Sequence, residues 1–210
     1  MRRGILLLLG FILPGLLLAG CAPPERREIA IFGLAPAQPA QNLPVAVLLA
    51  PIGAAPAYMG KDMLYRLGYA DNQLHPYGSS RWNASPIAML ASVMHQTAGG
   101  NLLALDQSNQ LARCSLRIEL TAFEQAFTDA RNSHAELGMH YSLIQLRNQR
   151  ILGSGKLRLD IPAQTADAGG GAMALEKASH QAAGQVMEWL NRLLAPAASG
   201  ANPVRTACER

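Results

Sequence analysis

The sequence has no clustered basic stripe with interleaved aromatics, and phenylalanine, tryptophan and tyrosine together make up only 5% of its 210 residues. That removes the electrostatic footprint and the stacking platforms by which proteins hold nucleic acid. The sequence pI near 9.2 does not restore them. The formal charge of +4 includes Arg2 and Arg3 of the opening segment, and setting these aside halves the excess. There is no hydrolase elbow, no Walker loop and no Rossmann fingerprint. Gly169-Gly170-Gly171 lacks the lysine and the preceding strand of a phosphate loop, and reads as a hinge. Without a nucleophile–base pair or a metal set, the chain is expected not to be an enzyme and to need no cofactor. After the opening segment no apolar run approaches the roughly 20 residues of a transmembrane helix.

What is present begins at the first residues. Arg2 and Arg3 form a positive n-region, and Ile5 to Leu18 is an apolar run broken only by Gly10, Pro14 and Gly15. Leu18-Ala19-Gly20-Cys21 follows. The small residues at 19 and 20 let the backbone enter a peptidase cleft in extended form, and the cysteine supplies a thiol for a diacylglyceryl group. This is a lipobox, so residues 1–20 read as a lipoprotein signal peptide and Cys21 as the lipid attachment site. A single myristoyl chain anchors only marginally, at about 0.8 kcal/mol per methylene, whereas two or three longer chains hold firmly. Ala22 stands where aspartate would favour retention in the inner membrane, so the expected address is the periplasmic face of the outer membrane. Residues 21–27, with Pro23-Pro24 followed by charged residues, read as a tether. Residues 28–194 read as one domain and 195–210 as a disordered tail. Two cysteines remain, Cys114 and Cys208; the compartment permits a disulfide, but sequence does not settle their pairing.

Within the domain, Glu28 to Leu34 suggests a short strand. Val45 to Leu49 is a continuous apolar run, the pattern of a strand buried on both faces, ended by Pro51 and Gly53. Weaker strand patterns, Met63 to Tyr69 and Gln73 to Tyr77, flank an Asp71-Asn72 turn. Ser85-Pro86 is a helix start, with Ile87, Leu90, Ala91 and Met94 as its apolar stripe and Gly99-Gly100 as its end. Leu102 to Leu105 suggests a short strand. Between Arg113 and Thr121, Cys114, Leu116, Ile118 and Leu120 alternate with polar residues, as do Ala135, Leu137, Met139, Tyr141 and Leu143 further on. Ile151 to Ile161 gives a third strand, and the three imply an antiparallel meander. A last helix carries Leu175, Ala178, Ala182, Val186, Trp189, Leu190 and Leu193 on one face. The expected fold is α/β, a mixed sheet with an antiparallel meander packed against two or more helices.

His134, Glu136 and His140 share the polar face of one strand. Two histidines and a carboxylate can bind zinc, but His134 and His140 are six residues apart, about 20 Å along an extended strand. A polar sheet face is the better reading, and no metal is expected. Asn83-Ala84-Ser85 matches a glycosylation sequon, but Ser85 is better explained as a cap. Arg81-Trp82, between a strand and that cap, suggests a stacked pair pinning the helix, or an aromatic offered to a partner. Tyr58 and Met59 lie in a Gly/Pro/Ala-rich loop after the buried strand, where binding residues or a mobile loop are equally plausible. Met63, Met89, Met94 and Met139 suit either core packing or an adaptable apolar pocket.

The order of these features resembles the ABC-type transport auxiliary lipoprotein family, which includes PqiC-like proteins. The matching pieces are the lipobox at Cys21, Val45 to Leu49 with Pro51, and Pro56-Ala57-Tyr58-Met59 leading to Met63-Leu64-Tyr65-Arg66. Arg81-Trp82 before the first helix, Leu116 to Phe127 with Phe123 and Phe127, and Ala172 to Leu190 ending Glu188-Trp189-Leu190 complete the set. The resemblance covers roughly residues 28 to 194. Met59 replaces the commoner leucine, and Gly60-Lys61 the usual acidic–basic pair. The resemblance implies a non-catalytic part of an envelope lipid or solvent transporter, with an MCE-domain protein and an ABC permease/ATPase complex as partners and a homo-oligomer left open. Tyr58, Met59, Tyr65, Arg66, Arg81 and Trp82 are its candidate partner-binding residues. The alternatives are a periplasmic lipid-carrying lipoprotein or an assembly chaperone for an outer-membrane machine.

Overall fold

The computed structural model describes residues 28–39, 42–71, 73–105, 112–197 and 200–209. The signal segment, Cys21 and the tether lie outside the described residues. Nine described strands form one mixed sheet. They are β1 (Ala30–Phe32), β2 (Val47–Leu49), β3 (Gly53–Ala54), β4 (Asp62–Leu67), β5 (Leu74–Trp82), β6 (Leu102–Leu103), β7 (Cys114–Phe127), β8 (Ser133–Gln145) and β9 (Arg150–Pro162). The helices are α1 (Pro86–Ala98), α2 (Ala168–Leu194) and α3 (Pro203–Glu209).

The long strand β7 is the axis of the sheet. Along one edge it pairs in parallel with β2, β3 and β4 in turn, through Val47↔Cys114, Gly53↔Glu119 and Tyr65↔Gln125. Along the other it pairs antiparallel with β8, and β8 with β9, which is the expected meander. All three residues of β2 are buried, as their continuous apolar run implies. The alternating pattern of β7 stops at Thr121, yet the strand continues to Phe127. Pairing moves from Leu120↔Met139 to Ala122↔Gly138, so Thr121 is the extra residue of a β-bulge. The bulge reverses the phase: Phe123 and Gln125 take the core side, and Glu124 turns to the other. Gly138 makes room for it, because a Cβ there would stand 2.6 Å from the Thr121 hydroxyl.

Helix α1 starts as expected, with the Ser85 Oγ accepting from the Ala88 amide and Pro86 in the first turn, and it ends at Gly99 in the left-handed region (φ 65°). Its stripe of Leu90, Val93 and Met94 enters a single core with Leu175, Ala178, Ala182, Val186 and Leu190 of α2. Met63, Met89, Met94 and Met139 are all buried in that core.

The hinge reading of Gly169-Gly170-Gly171 is corrected. Asp167 caps α2 by accepting from the Gly170 amide at 2.8 Å, and the three glycines are its first turn. They are small because the turn is crowded. A Cβ on Gly170 would lie 2.1 Å from the Thr165 carbonyl oxygen, and one on Gly171 would lie 2.0 Å from Gln125 Oε1. Gly170→Ala and Gly171→Ala should therefore each lower stability by about 1–3 kcal/mol. Gly184, in the same helix, has nothing within 4 Å of an added Cβ. Gly184→Ala should raise stability by about 0.5–1 kcal/mol. Urea melts of the three variants give opposite signs if this packing is right.

The disordered-tail reading is corrected over α3. Cys208 is 3% exposed and forms a disulfide with Cys114 at the start of β7. Asn202 donates to the Leu193 and Ala195 carbonyls at the end of α2 and accepts from the Val204 and Arg205 amides at the start of α3. One side chain thus serves two helix ends, and Gln145 adds a bond to the Ala207 carbonyl at 3.2 Å.

Candidate functional site

On the sheet face turned away from the helices, one carboxylate is sealed in. Glu124 is 1% exposed. The guanidinium of Arg66, from the neighbouring strand β4, donates to its Oε1 through Nε at 3.0 Å and Nη2 at 2.7 Å. The Tyr58 hydroxyl donates to its Oε2. Tyr58 closes a 3-10 turn, Pro56–Tyr58, in which its amide bonds the Ala55 carbonyl at 2.9 Å. Burial, and then the hydrogen bond to the Glu124 carboxylate, push the Tyr58 phenol well above its ordinary pKa, so it remains a donor. The charge is compensated on both oxygens, which a buried ion requires. The arrangement fastens the loop onto the sheet and leaves Met59, the next residue, 54% exposed.

The adjacent residue, Gln125, does the same on the core face. It accepts from the Tyr77 hydroxyl at 2.7 Å, donates to Ser133 Oγ at 2.8 Å, and lies against the backbone of Gly171. Near it Tyr65 packs on Tyr77, His75 and Phe127 with ring centroids 4.7, 5.5 and 5.9 Å apart.

The residues singled out in sequence are thus divided between two faces. Tyr58, Met59 and Arg66 come together around Glu124. Tyr65 belongs to the aromatic cluster on the opposite face. Arg81 and Trp82 do not stack, because consecutive strand residues point opposite ways. Trp82 is 1% exposed and packs edge-on against Phe123 at 5.6 Å, while Arg81 meets Asp62 at 3.2 Å and the Tyr77 carbonyl at 2.7 Å. Trp82 alone therefore supplies the burial before α1. Tyr58 and Trp82 have almost no surface to offer a partner; Met59 and Arg81 do. Sequence reasoning missed Glu124. Its signal was an acidic residue between Phe123 and Phe127, inside a segment otherwise fit for burial.

His134, Glu136 and His140 are not one cluster. The structure instead groups His134 and Glu136 with Asp160 of β9, ligand atoms within 4.8 Å of one another. Arg158 already sits on that pair of carboxylates, 2.7 Å from Glu136 and 3.7 Å from Asp160. A second cation would meet that guanidinium, so the group is an ion-pair network.

These features define a class: a mixed α/β sheet with helices on one side, a polar strand face on the other, and a buried charge lock at Glu124. Over residues 33–187 the chain matches the family described as ABC-type transport auxiliary lipoprotein component, and it belongs to that family. Among solved structures, protein XCC0632 from Xanthomonas campestris, of the family DUF330, is similar with a TM-score of 0.66 at 18% identity, covering 76% of this chain and 93% of that one. A second crystal structure, of an uncharacterized protein, gives a TM-score of 0.60 at 10% identity, covering 78% and 99%. At these identities both support the fold. No curated protein matches the chain.

Proposed function

We propose that this protein is a lipid-anchored, non-catalytic docking subunit of an ABC-type transport system that moves lipid or solvent molecules through the bacterial envelope. The family match over residues 33–187 carries the reading. The lipobox ending in Cys21 supports an anchor of acyl chains on that thiol, and Ala22 favours the periplasmic face of the outer membrane. The partner in contact is an MCE-domain protein that spans the periplasm from the permease and ATPase. Tethering raises the effective concentration of the domain beside that partner, so modest contacts suffice. In this reading Met59 and Arg81 touch the partner, while Tyr58, Arg66 and Glu124 hold the Met59 loop in place.

The test is a pull-down of the full-length protein from detergent-solubilised membranes. An MCE-domain protein should be recovered, and Met59→Glu should reduce its yield about tenfold or more, as loss of a central apolar contact does. Recovery of the same partner with wild-type yield by Met59→Glu would remove the loop from the interface. Recovery of none by the wild type would remove the proposal.

A further inference from the structure

Strand register lays out the exposed face of β7, β8 and β9 in rows. One row is Glu124–Glu136–Asp160, and there every charge is matched, by Arg66 or by Arg158. Two further rows are Glu119–His140–Lys156 and Arg117–Ser142–Ser154. In these, Arg117, Glu119 and Lys156 have no hydrogen-bond or ion-pair partner among the described residues. The six side chains line one groove of about 460 Å³. Strands about 4.8 Å apart, with same-face residues about 7 Å apart along each, put Arg117 and Lys156 at diagonal corners of the groove, about 12 Å apart at their Cα atoms, with Ser142 and His140 between them and Ser154 beside Lys156. One half of the face is thus electrically closed on itself and the other is open, with charges of both signs in one groove.

We propose that this groove binds a phosphodiester carrying a primary ammonium, the chemistry of an ethanolamine headgroup. The phosphate lies between Arg117 and Lys156 over Ser142 and Ser154, and the ammonium meets Glu119. Donors converge here from two cations and two hydroxyls on three strands, which suits a tetrahedral oxyanion better than a planar carboxylate that one guanidinium fork would satisfy. Glu119 would oppose a bare anion and so favours a ligand bringing its own positive group. The proposal goes beyond the docking reading and needs neither the anchor nor the transport partner, so either can fail alone.

The test uses the full-length protein in maltoside micelles and the Cε1–H resonances of its five histidines, with the His140 signal assigned through His140→Gln. Glycerophosphoethanolamine, inorganic phosphate, ethanolamine and micelle-borne phosphatidylethanolamine are titrated separately. The expected result is a saturable shift of His140, with the other histidines still, and with at least about tenfold tighter binding than for phosphate or ethanolamine alone. Arg117→Gln and Glu119→Gln should each weaken it about tenfold, the usual scale for one charge-assisted contact, and Arg158→Gln should not. A response to the soluble headgroup identifies a free phosphodiester as sufficient; a response only to the micelle-borne lipid identifies a membrane lipid. Equal binding of inorganic phosphate, indifference to Glu119→Gln, or no His140 shift with either headgroup would overturn the proposal.

Discussion

Cys114→Ala with Cys208→Ala should lower stability by about 4–5 kcal/mol, the largest effect expected of any substitution among the described residues. The bond joins residues 94 apart in sequence. Closing a loop of that length removes about this much chain entropy from the unfolded state. For a domain of this size the loss corresponds to roughly 10–15 °C in Tm. The native side adds to it. Cys114 is fully buried at the first residue of β7, and the cross-link ties α3 to that strand, while Asn202 joins the start of α3 to the end of α2. Guanidinium melts of oxidised wild type and the double variant, read by far-ultraviolet dichroism, measure the difference. Hydrogen exchange should show amides of residues 203–209 losing protection first in the variant. Equal midpoints under oxidising conditions would mean that the bond adds nothing.

The second large effect is expected at Glu124. Glu124→Ala should cost about 2–3 kcal/mol, because it removes the acceptor of the buried Tyr58 hydroxyl and the carboxylate that Arg66 holds. Tyr58→Phe removes one hydrogen bond to a charged acceptor and should cost about 1.5–3 kcal/mol. If the two side chains act on each other, a double-mutant cycle of Tyr58→Phe and Glu124→Gln should give a coupling of about 0.5–3 kcal/mol. Additive losses would separate them. The pH dependence follows with a definite sign. The phenols of Tyr58 and Tyr77 are both raised, chiefly by burial, with Glu124 adding to the first and the neighbouring Tyr65 and Asp167 to the second. In the unfolded chain such phenols release protons near pH 10. Above that pH the unfolded state binds fewer protons than the folded one, so stability falls as pH rises; below it the contribution is complete. Tyr58→Phe should flatten that alkaline decline.

Much of the fold was legible because its elements announce themselves locally. The Ser85-Pro86 cap, the Gly99 stop, the unbroken apolar run of β2 and the alternation in β8 each depend on side chains close in sequence. Three features depended on neighbours distant in sequence. The bulge at Thr121 concealed the last six residues of β7, since a one-residue insertion inverts the alternation that marks a strand. The triple glycine suggested looseness, yet Thr165 and Gln125 fill the space where side chains would stand. The tail is polar and proline-bearing, and its helix is held by Asn202, Gln145 and a disulfide partner 94 residues away.

The candidate site was legible in part for the same reason. The loop with Tyr58 and Met59 and the arginine of β4 were visible as residues worth testing. Their meeting point, Glu124, was not, because only the register of β4 on β7 brings it to Arg66. Arg81 and Trp82 read as a pair from adjacency alone, which in a strand sends the two side chains to opposite faces. His134 and Glu136 acquire their third neighbour, Asp160, from β9.

All of this serves a domain that is proposed to work by contact at a membrane surface, and one measurement addresses that most directly. Intact-mass analysis of the native protein, extracted from bacterial envelopes, should give a chain beginning at Cys21 with a diacylglyceryl group on sulfur and an acyl group on the new amine. An unmodified polypeptide beginning at Met1 would contradict the anchor and, with it, the docking role.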